Sequence, residues 1–208
     1  MARDFNAFVP GKKEGTILTP KCRLIYPQLF EAVDMKGNPK GPEEKLRYRL
    51  TILVPKKADL TLLRERVEAV IQDEAPAKDR STARKPWLKT ADSKALEKYS
   101  DEFPVMLRVH SKYAPQVVGP DPTRALTEDE VYSGRWGVVS LNPYWYGSID
   151  GGKPGVALGM GNVQFLDHAD KIGGSRVTAE DEFEPADDVE DSAPPSARGN
   201  STSDDLFG

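Results

Sequence analysis

Leu46-Arg47-Tyr48-Arg49-Leu50-Thr51-Ile52-Leu53-Val54 is the stretch on which the fold turns. Leu46, Tyr48, Leu50, Ile52 and Val54 fall on one side of an extended chain, and Arg47, Arg49 and Thr51 on the other. That two-residue period marks a half-buried strand. Pro55-Lys56-Lys57 ends it, because proline has no N–H to give a ladder. Asp59 then caps a helix with Leu60, Leu63, Val67, Val70 and Ile71 on one face. Arg64 and Glu68 are spaced for an ion pair on another face. Pro76 comes shortly after the helix ends.

On the N-terminal side, residues 1–15 read as a loose arm with isolated Phe5 and Phe8. Thr16 to Tyr26 is rich in β-formers and is expected to be a strand up to Pro27, with Gln28 to Val33 continuing it after a bend. Gly37-Asn38-Pro39-Lys40-Gly41-Pro42 is a loop. On the C-terminal side, residues 78–89 carry five bases, one acid and Trp87 without an apolar period, and read as a long surface loop. A short helix is expected from Asp92 to Tyr99. Pro104 to Lys112 alternates again, with Val105, Leu107 and Val109 on one face and Met106, Arg108, His110 and Lys112 on the other. Thr127 caps a helical turn reaching Tyr132, in which Glu128, Asp129 and Glu130 complement the helix dipole. Gly134 to Tyr146 and Val156 to Leu166 are further strands, and the glycines between Gly155 and Gly161 would let the last one bend or bulge.

About five strands with one interposed helix make an all-β chain with minor α. No strand–helix alternation appears, so a parallel doubly wound sheet is not expected. A small, partly open antiparallel barrel fits the pattern. The body and the C-terminal tail of the chain differ in charge. From Val177 onward there are ten acids against one base, Arg198, or −9. The whole chain has 29 basic and 33 acidic residues, so residues 1–176 keep 28 and 23, or +5. The expected organisation is the arm at 1–15, a binding domain at 16–176 and a disordered acidic tail at 177–208, closing on Asp204-Asp205-Leu206-Phe207-Gly208. A basic body that carries its own polyanion points to a nucleic-acid binder.

Other classes find little support. No nucleophile elbow, zinc-protease helix or phosphate-loop lysine is present, so no enzyme is expected. One cysteine, Cys22, and two separated histidines, His110 and His168, give no metal-ligand spacing. Cys22 is expected to be a small buried residue. No cofactor is expected. No run approaches the ~18 apolar residues that span a bilayer, so no membrane partner is expected, and a reducing cytoplasm fits.

Single-stranded nucleic acid needs cations along a groove and flat rings on which bases stack. Arg47 and Arg49 share one polar strand face; Arg108, His110 and Lys112 share another that runs into Tyr113. Lys85 and Lys89 flank Trp87 in the 78–89 segment, and Arg135-Trp136 opens a strand ending Tyr144-Trp145-Tyr146. Tyr48 lies on the apolar side of its strand and is a core residue. Trp136, Val138 and Tyr146 share one face and Val139, Leu141 and Trp145 the other, so only one set can be outward. Trp87, Tyr113 and one of Trp136 or Tyr144 are the expected stacking residues.

The order of short motifs resembles bacteriophage single-stranded DNA-binding proteins with an OB-fold. They are Leu50-Thr51-Ile52-Leu53-Val54-Pro55-Lys56, Lys85-Pro86-Trp87-Leu88-Lys89-Thr90-Ala91-Asp92, Ser111-Lys112-Tyr113-Ala114-Pro115-Gln116-Val117-Val118, Tyr132-Ser133-Gly134-Arg135-Trp136, and Gly155-Val156-Ala157-Leu158 through Val163-Gln164-Phe165. The resemblance covers residues 15–175 and the acidic tail. It implies a five-stranded Greek-key barrel that coats single strands without sequence preference in phage replication or recombination, in the host cytoplasm. It also implies that an acidic tail with a terminal aromatic docks replication proteins and can occupy the DNA groove; here Asp204, Asp205, Leu206 and Phe207 would do so. Gly208 departs from the pattern, which ends on the aromatic. A non-enzymatic adaptor in a phage replication or recombination complex is the alternative.

Overall fold

The computed structural model describes residues 4–34, 36–148 and 151–173. Its strands are β1 (Val9–Pro10), β2 (Ile17–Leu18), β3 (Cys22–Val33), β4 (Arg47–Val54), β5 (Trp87–Lys89), β6 (Val105–Ser111), β7 (Val117–Val118), β8 (Arg135–Tyr146) and β9 (Gly155–Phe165), with one helix, α1 (Thr61–Glu74).

The alternating Arg47–Val54 stretch is β4, and it lies between β3 and β6, antiparallel to both. Its inward side chains meet those of its neighbours in rows. Ile52 is opposite Leu24 on β3 and Leu107 on β6, and all three are fully buried. The sheet closes on itself, because β8 pairs with both β3 and β9, and β9 returns to β6. Five strands (β3, β4, β6, β9, β8) thus form a ring around one core, the Greek-key barrel of an OB-fold. The expectation of an antiparallel barrel needs one correction. The contact between β6 and β9 is parallel and consists of a single pairing, His110 with Gly159, and β7 also pairs β9 in parallel.

The N-cap of α1 is Leu60 rather than the expected Asp59, which stands one residue earlier and accepts a hydrogen bond from the Thr61 N–H at 2.8 Å. The helix buries Leu63, Val67 and Ile71 against β8 and β9. Each such side chain contributes about 1.5–3 kcal/mol on burial. The expected Arg64–Glu68 pair is not made: Glu68 binds Lys85 instead. That links the helix to the segment before β5.

Several loops are more ordered than their sequence suggested. The 78–89 segment is not a free loop. Arg84 bridges Gly155, with its N–H on the Pro154 carbonyl and its own carbonyl accepting from Val156, both at 2.9 Å. Trp87, Leu88 and Lys89 then pair with β6 as β5. The segment fills the gap that the single β6–β9 pairing leaves. Residues 90–103 form two 3₁₀ turns, Thr90–Asp92 and Glu97–Tyr99, rather than one helix. They bring Leu96 and Phe103 over Ile25, Leu53 and Met106 in a second apolar cluster on the outside of the barrel wall. Met106, expected on a polar face, is therefore buried.

The strand expected at Thr16–Tyr26 is split by Thr19-Pro20, where the Thr19 N–H and hydroxyl bond the Val139 backbone at 3.0 Å. Pro27 does not end β3. Tyr26 takes a φ of 51° and its N–H turns to the Ser133 hydroxyl, so the strand bulges and resumes to Val33. Nor is the N-terminal arm loose over its described residues. Phe8 is buried, and Phe5 and Asn6 carbonyls accept from Lys21 and Asp59. Cys22 is buried in the main core. Thr127 caps the 3₁₀ turn Glu128–Glu130 through a reciprocal pair with Glu130. The Thr127 N–H and then Arg124 hold the Glu130 carboxyl down at about 2. The acidic tail at 177–208, with Asp204, Asp205, Leu206 and Phe207, lies outside the described residues.

Candidate nucleic-acid interface

Because β4 and β6 are in register, their outward residues pair across the strands: Arg49 faces His110, and Thr51 faces Arg108. Arg47 is two residues from Arg49 on the same outer side. Next to this pair, β9 passes His110 with Gly159, which brings no side chain, and β8 presents Asn142 and Tyr144 on the far side of β9. β9 then bulges: three steps, from Val163 to Met160, match two on β8, from Val139 to Leu141. The bulge falls at Gly161, where a Cβ would come within 3.1–3.3 Å of Ser140. Glycines at 159 and 161 thus leave the floor of the sheet open between Tyr144 and Lys112.

The result is a cleft of about 710 Å³ whose lining includes Arg47, His110, Lys112, Tyr113 and Tyr144, with Lys13 and Asn162 at its rim. Tyr113 is 82% exposed, its backbone fixed by an N–H bond to the Ser111 hydroxyl at 3.0 Å. Tyr144 is half-buried, and its hydroxyl meets His110 Nε2 at 3.2 Å. Burial, then Arg49 and Arg47, push the His110 pKa below its usual value. Burial raises that of the Tyr144 phenol. Burial and Arg47 also lower the basicity of Arg49, against the opposing pull of Asp34. The free cleft therefore holds like charges close together, and an anion entering it relieves their repulsion. A neighbouring depression of about 540 Å³ shares Arg47 and Lys112 with the cleft and extends it past Tyr48.

Four of the ten expected residues, Arg47, Lys112, Tyr113 and Tyr144, come together in this cleft. Arg49 and Arg108 lie beside it on the same outer face of β4 and β6. The other four do not reach it. Lys85 is ion-paired to Glu68, and Lys89 is exposed on β5. Trp87 stands opposite Leu107, which turns its ring inward against the main core. Trp136 is eight residues from Tyr144, about 26 Å along an extended strand. There it packs on Phe103 and lies under Lys21 and Arg23, at 5.5 and 5.3 Å from the ring centroid. It lines a separate cleft of about 660 Å³ with Phe5, Lys56 and Lys57. His110, Lys13 and Asn162 are lining residues that the sequence reading did not assign. His110 was signalled by its place between Arg108 and Lys112; Lys13 and Asn162 carry no local signal.

A closed five-stranded barrel with a cationic, tyrosine-lined cleft on its wall defines an OB-fold binding protein. A family model described as the Enterobacter phage Enc34 single-stranded DNA-binding protein matches residues 15–193, and the chain belongs to that family. Among solved structures, the fold is similar to the single-stranded DNA-binding protein of bacteriophage Enc34 in complex with single-stranded DNA. The TM-score is 0.61 at 17% identity, over 80% of this chain and 98% of that one. It is also similar to gp2.5, a single-stranded DNA-binding protein encoded by bacteriophage T7, with a TM-score of 0.54 at 13% identity, over 84% and 99%. No curated protein sequence matches the chain.

Proposed function

We propose that the protein binds single-stranded DNA without sequence preference in the cleft between β4, β6, β8 and β9. Its role would be to coat and protect unpaired strands during phage DNA replication and recombination. The observation that carries this reading is the convergence of cations and rings from three separate segments. Arg47 comes from β4, Lys112 and Tyr113 follow β6, and Tyr144 comes from β8. Arg47, Arg49 and Lys112 take phosphates, with Arg108 further along β6. Tyr113 and Tyr144 take bases, each stack contributing about 1–3 kcal/mol. The cations act as point or forked charges on the backbone, so every sequence is held alike. The reading needs no metal, cofactor or catalytic group.

The acidic segment 177–208 would compete for the same cations and recruit replication or recombination proteins through Asp204, Asp205, Leu206 and Phe207. Its charge of −9 against the +5 of residues 1–176 supports the competition. Because it is part of the same chain, competition is intramolecular, at an effective concentration of ~mM. The test is a titration of fluorescently labelled poly-dT with the full chain and with a chain ending at Arg176, at two salt concentrations and with a duplex control. Truncation should tighten binding, most at low salt. Looser binding on truncation would contradict competition, and no binding by either chain would contradict the function itself.

A further inference from the structure

The segment that the sequence marked as a loose arm forms a hairpin beside the cleft. Gly11 N–H donates to the Thr16 carbonyl at 2.9 Å, and Thr16 N–H donates to the Lys13 carbonyl at 3.1 Å. Gly15 takes a φ of 77°, which closes the turn. The hairpin is anchored because Ile17 and Leu18 of β2 pair with Leu141 and Ser140 of β8. Its tip therefore has a fixed place, and the exposed Lys12 and Lys13 sit on it. Neither has an ion-pair partner among the described residues.

Lys13 lines the central cleft and also a second depression of about 390 Å³, which runs on to Lys12, Val118 and Pro122. Ser140 and Asn162 line both as well, so the two are continuous. The amides on the floor of the second depression are already engaged. Asn162 bonds Gln116, and Gln164 bonds the carbonyls of Gly119 and Pro120 at 3.2 and 3.0 Å. Those bonds tie the amides to the protein's own backbone and to one another. Beside them the depression offers the apolar side chains of Val118, Pro122 and Val138 and the two ammonium groups of Lys12 and Lys13, a surface suited to a sugar–phosphate backbone of any sequence.

We propose that the hairpin tip is a second phosphate-binding wall, which takes up the backbone of an unpaired strand after it leaves the central cleft. This rests on the proposed binding of single strands in that cleft. It adds a length dependence: short strands fill the cleft and reach the hairpin only at Lys13, and longer ones engage both Lys12 and Lys13. Glu14, exposed on the same tip, opposes the contact and gives a way to strengthen it.

The experiment measures affinity and its salt dependence for dT oligonucleotides of about 5 and about 15 nucleotides, which bracket the range of one OB-fold. The proteins are the full chain, Lys12→Glu/Lys13→Glu, the milder Lys12→Gln/Lys13→Gln, and Glu14→Lys. A Lys78→Glu/Lys94→Glu variant has the same net charge as the first and controls for long-range electrostatics. The hairpin variants should lose much less affinity for the short strand, which meets only Lys13 at the rim of the cleft, than for the long one. On the long strand they should lose affinity, with the log–log salt slope shallower by roughly 1.4 if both lysines meet phosphates. Glu14→Lys should tighten the long strand only. Equal losses on both lengths, the same loss in the control variant, or no loss at all would each overturn the proposal. If the parent binds neither length, it is the cleft itself that fails.

Discussion

The two ends of β8 both place an aromatic ring among cations, and the cations are disposed differently. At one end, Arg47, Lys112 and Tyr113 surround Tyr144, with Tyr113 almost wholly exposed and the positive charges crowded against one another and against His110. At the other, Lys21 and Arg23 lie over the Trp136 ring, Lys21 is also paired to Asp167, and Arg23 bonds the carbonyls of Gly134 and Asp170. The second group is satisfied within the protein and contributes to the fold. The first gains most from a phosphate and a base. A basic residue next to a ring is therefore not enough to mark a binding surface; like charges crowded beside an exposed ring are what set the first end apart.

Three changes sharpen this contrast. The largest effect is expected at the Trp136 end. Phe103 is fully buried under Trp136, and Phe103→Ala should cost about 3–5 kcal/mol of stability. Denaturant unfolding would show it, and the folded fraction should retain its affinity for oligonucleotides. Next come the two rings on β8. Tyr144→Ala should weaken dT binding by about 1–3 kcal/mol, while Trp136→Ala should change affinity by less than about twofold and lower the unfolding midpoint instead. Equal losses of affinity for the two variants would remove the distinction between the ends. The smallest effect is on pH. The free protein holds His110 below the usual ~6.5 through burial, Arg49 and Arg47. A phosphate beside it favours the protonated ring, so binding takes up a proton. Affinity should therefore rise, by up to about tenfold per pH unit, as pH falls through that range. In His110→Gln the rise should disappear, which titrations at pH 7.5 and 5.5 would check.

The parts of this architecture that show in the sequence are those that carry their own period. β4 and β6 alternate because each has one side in the core and an opposite side that is polar except at Leu53 and Met106, which the second apolar cluster covers, and α1 repeats Leu63, Val67 and Ile71. Arg47 and Lys112 are readable for the same reason, since the opposite parity is core. β1, β2 and β5 are two or three residues long and have no period to read. β2 exists because Leu141 and Ser140 of β8 meet it, β1 because it pairs with β2, and β5 because Leu107 of β6 meets Trp87. The basic composition around Trp87 suggested an exposed platform, but register turned the ring inward. Lys13 joins the cleft through the pairing of Ile17 with Leu141, and Asn162 through the pairing of β9 with β8 and its bond to Gln116, none of which a local pattern records.

The most direct test reverses charge at each end of β8 and compares the two. Arg47→Glu/Lys112→Glu and Lys21→Glu/Arg23→Glu change net charge equally, and labelled dT binding is read by fluorescence anisotropy across a salt series. The first pair should lose affinity by on the order of 100-fold, with a salt slope shallower by roughly 1.4. The second pair should keep both affinity and slope in its folded fraction. Equal losses from the two pairs, or a larger loss at Lys21 and Arg23, would contradict the assignment of the cleft.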